Sequence, residues 1–83
     1  MRVEIKVRFF AALRDAAGKP EVRIAWKPGM TCRDVLAELE KKFHFMTLLL
    51  EHSFIAVNGS YTEFGMSLMP EDEIAVMPPV SGG

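Results

Sequence analysis

Apolar and polar residues alternate from the first residues of the chain. Val3, Ile5, Val7 and Phe9 interleave with Arg2, Glu4, Lys6 and Arg8. This period of two belongs to a strand with one face on a core and one in water, and it predicts a strand over residues 2–10. Phe10 breaks the alternation by setting an aromatic on the charged face. Ala11 to Ala17 is alanine-rich and suits a helical turn closed by Gly18, and Gly18-Lys19-Pro20 is punctuation. Glu21 to Trp26 predicts a second strand, with Val22, Ile24 and Trp26 on one side and Arg23 on the other, ended by Pro28-Gly29.

Helix signals follow. Thr31 suits an N-cap, and Asp34 stands where a capping box and the helix dipole both favour an acid. Met30 and Val35 occupy the positions of a hydrophobic staple. Val35, Leu36, Leu39 and Phe43 form an apolar stripe, while Glu38, Glu40, Lys41 and Lys42 face water, so the helix is expected to end near Phe43. Phe45 to Leu50 is apolar and ambiguous, a candidate second helical turn over the core. Phe54 to Val57 predicts a third strand, Asn58-Gly59 a hairpin turn, and Tyr61 to Phe64 a short edge strand. The last strand carries Ile74 and Val76 inward. Strand, strand, helix, strand, short strand, strand implies an α+β fold with a mixed sheet of four to five strands packed on one main helix. The long crossover from the second strand to the third has the length to return a strand parallel to the first.

Composition narrows the class. The chain has 83 residues, enough for one small domain, and 49% of them are hydrophobic, enough for a core. Ten basic residues against eleven acidic ones argue against a general nucleic-acid binder. No apolar run approaches the roughly 20 residues that span a bilayer, so no membrane role is expected. Strand-like alternation beginning at Val3 leads us to expect no signal peptide. The single cysteine, Cys32, allows no internal disulfide and suits a reducing cytoplasm.

After the last strand the chain changes character. Pro78-Pro79 removes two backbone donors and stiffens the exit, and Val80-Ser81-Gly82-Gly83 is small and uncharged. The division is a domain over residues 1–77 and a flexible tail over 78–83. Glycines without a Cβ let another molecule approach the Gly83 carboxylate closely. Six extended residues reach at most roughly 20 Å, enough to cross a partner's surface into a buried pocket. A C-terminal carboxylate has a pKa near 3.5 and is a poor electrophile at neutral pH, so acyl chemistry at Gly83 requires prior activation with a good leaving group.

Specific stretches carry a resemblance. Phe9-Phe10-Ala11-Ala12-Leu13-Arg14-Asp15-Ala16-Ala17-Gly18, Ala56-Val57-Asn58, and Glu71 through Gly83 resemble the MoaD-type small-subunit family of molybdopterin synthase, whose fold is the ubiquitin-like β-grasp. Two departures are visible: Glu71 stands where the family often has a turn glycine, and Met77 where it often has an aromatic. The resemblance implies a sulfur carrier that is itself a non-catalytic subunit of a sulfurtransferase. An E1-like adenylyltransferase would use ATP to adenylate Gly83, and a sulfur donor system would convert it to a thiocarboxylate. The large subunit, which holds the active site, would take the tail Pro78, Pro79, Val80, Ser81, Gly82 and Gly83 and pass the sulfur to precursor Z to form the molybdopterin dithiolene. It further implies a heterotetramer, no stably bound cofactor, no metal, and a nucleotide met only as the transient acyl-adenylate. Related carriers for thiamine or tRNA thiolation, ubiquitin-like protein modifiers and plain interaction domains share enough of this pattern to stand as alternatives.

Phe10 and Met77 are out of phase for the core and lie at the ends of strands that are neighbours in a β-grasp sheet. With Tyr61 they are candidates for a partner surface at the root of the tail. Arg14, by its residue type, is a further interface candidate, with a local turn or pairing role as the alternative. Cys32 falls in the first turn of the helix, where the dipole can lower a thiol pKa, against the plainer reading of a structural thiol. His44 and His52 have no metal-ligand spacing.

Overall fold

Ile5, Val7 and Phe9 are buried while Glu4, Lys6 and Arg8 are exposed, so the first strand takes the face that its alternation dictates. The computed structural model describes residues 3–61 and 65–78. In chain order the elements are β1 (Glu4–Phe9), α1 (Ala11–Ala17), β2 (Glu21–Ala25), α2 (Cys32–Lys42), a single 3₁₀ turn (His44–Met46), α3 (Thr47–Glu51), β3 (Phe54–Val57), β4 (Ser60–Tyr61) and β5 (Glu73–Met77). The expected edge strand starting at Tyr61 is therefore β4 in its described part, and residues 62–64 lie outside the described residues.

One five-stranded sheet has the order β2-β1-β5-β3-β4. β1 and β5 are parallel, and every other pairing is antiparallel. The expectation that the third strand returns parallel to the first is corrected: β5 takes that place, and β3 runs antiparallel to β5. A parallel partner needs only a long crossover, which any later strand satisfies. β5 wins the central slot because Ile74 and Val76, both fully buried, have neighbours on either side there.

The main helix, α2, lays Cys32, Val35 and Leu39 on the inner face of the sheet. Its start is a reciprocal capping box: the Thr31 N–H donates to Asp34 Oδ2 at 2.9 Å, and the Asp34 N–H donates to Thr31 Oγ1 at 3.4 Å. Met30 and Val35, the staple residues, are both in the core. Lys41 and Lys42 close the helix at the negative end of its dipole. At that end Phe43 meets Phe9 edge to face, centroids 5.6 Å apart, which ties the end of α2 to the end of β1. The ambiguous run after Phe43 resolves into the 3₁₀ turn and α3, with Met46 and Leu50 buried beneath. Alanine-rich residues 11–17 form a true short helix, closed by Gly18 at φ 76°.

Asn58 and Gly59, at φ 52° and 84°, make the two-residue turn of the β3–β4 hairpin. Asn58 also holds β5 in place. Its N–H donates to the Glu73 carbonyl at 2.8 Å, its Oδ1 accepts from the Glu73 N–H at 2.9 Å, and its Nδ2 donates to Asp72 Oδ1 at 3.0 Å. Asp72 Oδ2 in turn accepts from the Met69 N–H at 2.8 Å. The result pairs Val57 with Ile74 and Phe54 with Met77. A slip of one residue would turn Val76 outward and Met77 into the core. Trp26 donates its indole N–H to the Leu68 carbonyl at 2.8 Å, anchoring the segment before β5 near the start of α2.

Cys32 is fully buried. Burial pushes its thiol up, and the Asp72 carboxylate adds to the effect, the direction that fits the plainer reading of a structural thiol.

Two outcomes are expected. Asn58→Ala should cost about 1–3 kcal/mol in urea denaturation, through the lost side-chain hydrogen bonds and the poorer tolerance of alanine for positive φ. Asn58→Gly keeps the turn and isolates the hydrogen-bond share. Cys32 should resist alkylation at pH 8 in the folded protein and react once the chain unfolds, as read by mass spectrometry.

Candidate docking face at the root of the tail

Pro78 follows β5 immediately and has no N–H for the ladder, so the sheet ends there. The parallel neighbour β1 brings its exit alongside: Phe9 pairs with Val76, and the Phe10 N–H donates to the Val76 carbonyl at 3.3 Å. On the other side the antiparallel neighbour β3 begins, with Phe54 opposite Met77. The root of the tail thus lies between the end of β1 and the start of β3.

Strand phase decides what surrounds it. Inward go Phe9, Val76 and Ile55; outward go Phe10, Met77 and Phe54. One row further along, Arg8, Ala75, Ala56 and Tyr61 stand side by side across β1, β5, β3 and β4. The outer face is therefore apolar over β3, β4 and the tail end of β5, and charged over β1 and at Glu73, where β5 begins. Phe54 and Tyr61 meet edge to face at 6.2 Å. They remain 49% and 73% exposed, while Phe10 is 38% exposed. Met77 is half-buried between its neighbours, and the small side chains of Ala56 and Ala75 keep the middle of the face low. Arg8 closes the polar side: its guanidinium lies 5.7 Å from the Phe10 ring centroid and 3.9 Å from Glu73 Oε1.

The structure thus brings together Phe10, Met77 and Tyr61. It adds Phe54, which sequence reasoning missed. The signal was present, since Ile55 and Val57 inward place Phe54 outward, but a four-residue apolar run hides its own phase. Arg14 lies on α1, exposed, and makes no ring contact or ion pair among the described residues, Asp15 included. Pro78 is half-buried; Pro79, Val80, Ser81, Gly82 and Gly83 lie outside the described residues. Among the described residues no group of three or more His, Cys, Asp or Glu could hold a metal ion. No helix among them is long and apolar enough to cross a membrane.

The two adjacent phenylalanines should respond oppositely to truncation. Phe9→Ala removes a buried ring and should cost about 3–5 kcal/mol of stability. Phe10→Ala should stay within about 1 kcal/mol of the parent, since it opens no core cavity. Parallel urea titrations of the two variants make the comparison.

The geometry has counterparts. The model of the ThiS family matches residues 7–83. The molybdopterin synthase sulfur carrier subunit of Arabidopsis thaliana is 36% identical over 81 residues, covering 98% of this chain and 84% of that protein. A putative molybdopterin converting factor subunit 1 from Pyrococcus furiosus superposes with a TM-score of 0.82 at 32% identity, over 94% of this chain and 99% of the other. The small archaeal modifier protein 1 of Methanosarcina acetivorans gives 0.82 at 31% identity, over 100% and 99%. A chain from the complex of subunits 1 and 2 of the molybdopterin-converting factor of Helicobacter pylori gives 0.71 at 25% identity, over 96% and 99%. With nearly the whole sequence matched, from the second half of β1 to Gly83, this chain belongs to the ThiS family.

Proposed function

We propose that this chain is the sulfur carrier subunit of a molybdopterin synthase and that its working group is the Gly83 carboxyl. The observation that carries the reading is the apolar outer face gathered where β5 ends, beside an uncharged Gly-Gly tail. The family match that runs through Gly83 and the curated relative of the same function support it.

The chemistry follows from the weakness of a carboxylate as an electrophile. A carboxylate oxygen of Gly83 attacks the α-phosphorus of ATP on an E1-like enzyme, and pyrophosphate leaves. A sulfide equivalent from a donor system then displaces AMP, leaving a thiocarboxylate. The large subunit, the kind of partner with which the Helicobacter pylori relative is paired, accepts the tail and transfers the sulfur to precursor Z. The globular domain supplies docking energy and direction; the tail supplies the reacting atom. A central apolar anchor such as Phe10 or Phe54 is worth about 1–3 kcal/mol of binding. Likeness to an archaeal modifier protein favours a second reading, in which lysine amines rather than sulfur take the activated carboxyl.

Intact mass spectrometry of the protein from its own cells should show a species heavier by about 16 Da, sulfur replacing oxygen at the activated terminus. Covalent conjugates of higher mass in its place would favour the modifier. Deleting Gly82-Gly83 should leave the melting curve unchanged and abolish molybdopterin formation in a reconstituted synthase. Synthesis by the truncated chain would remove Gly83 from the mechanism.

A further inference from the structure

Phe45 and Leu48 are, with Tyr61, the most exposed large apolar residues among those described, at 71% and 75%. They stand three residues apart across the junction of the 3₁₀ turn and α3, so they share one face of that segment. Neither serves the core, which this segment reaches through Met46 and Leu50. Phe45 is held from beneath, edge to face against Phe43 at 6.3 Å.

Their place in the fold is the tail end of the domain. Phe43 packs on Phe9, which pairs with Val76, the residue before Met77. α3 ends at Glu51, and three residues later Phe54 pairs with Met77. α1, whose Ala11, Ala12 and Ala16 are exposed, begins directly after Phe10 and touches both β5 and the 3₁₀ turn. Apolar groups therefore flank the root of the tail on two sides: Phe10, Met77 and Phe54 on the outer sheet face, Phe45 and Leu48 on the helical side.

The outer face alone is small for its task. A stable specific interface covers about 800 Å² per partner. An aromatic ring buries roughly 150–250 Å² when fully covered, and Phe10, Phe54 and Tyr61 keep 38%, 49% and 73% of theirs, so the three rings supply at most about half of that area and the rest falls to the tail and to the surface around its root. A partner that takes in a short tail also gains by enclosing its root, because chain spent running along a surface is lost from a reach of roughly 20 Å.

We infer that Phe45 and Leu48 form a second docking ledge for the large subunit, so that its pocket mouth closes around the root of the tail from both sides. The inference rests on the carrier reading above and adds a contact surface to it.

The test titrates the full chain against the large subunit by calorimetry, with melting curves alongside. Leu48→Ser and Leu48→Glu should leave the melting temperature unchanged and weaken binding at least about tenfold, the glutamate more than the serine. Phe54→Ala reports on the outer face independently. If both Leu48 variants bind within twofold of the parent while Phe54→Ala is weakened, the ledge is wrong and the carrier docking face stands. If neither site matters, both are wrong. Sedimentation of the free chain covers the remaining occupant: self-association that Leu48→Glu abolishes, with binding to the large subunit unchanged, would assign the ledge to a second copy and overturn the inference.

Discussion

The parallel pairing of β1 with β5 at the centre of the sheet is the constraint on which the rest depends. It sets the last strand between two neighbours and sends its end out beside the end of β1. A β5 on an edge would leave Ile74 or Val76 half covered, and the tail would leave beside water. In the centre, the same strand buries its inward side chains completely and surrounds its exit with the aromatics of both neighbours.

Two devices protect that arrangement. Asn58 joins the β3–β4 turn to the start of β5 through both ends of its amide, Oδ1 accepting from the Glu73 N–H and Nδ2 donating to Asp72, so the register is set at the end of the strand opposite the tail. Phe43 and Phe9 join the end of α2 to the end of β1, near the tail. A strand fastened at its start and packed at its end presents its last residue, Met77, at a defined place. For a carrier this matters more than global stability, because the tail's reach is measured from that point.

The division of labour proposed for domain and tail asks no catalytic group of the domain. In the proposed reaction the reacting group is a backbone carboxyl, and its activation comes from outside. In that reading the domain contributes surface: exposed apolar residues that a partner would cover on docking. Arg8, over the Phe10 ring and near Glu73, keeps the charged side of that face ordered without covering its centre.

Much of this was legible in the sequence, for physical reasons that can be named. A period of two in residues 3–9 determines which side chains of β1 meet a core. Thr31 and Asp34 determine the start of α2, because capping is local hydrogen bonding. Asn58-Gly59 determines the hairpin through its φ preference, and the alternation of β1 and β5 marked Phe10 and Met77 as outward. Tertiary structure decided the rest. Which strand runs parallel to β1 depends on contacts between residues some seventy positions apart, on which local pattern is silent. Phe54 joined the candidate docking face through strand pairing with Met77 and an edge-to-face contact with Tyr61, not through any motif. Cys32 lies in the first turn of a helix, where sequence allows a reactive thiol; only the packed chain decided that it is buried with its pKa pushed up. Phe45 and Leu48, indistinguishable by type from the buried Met46 and Leu50, were turned outward by the packing of one short helical segment on the core.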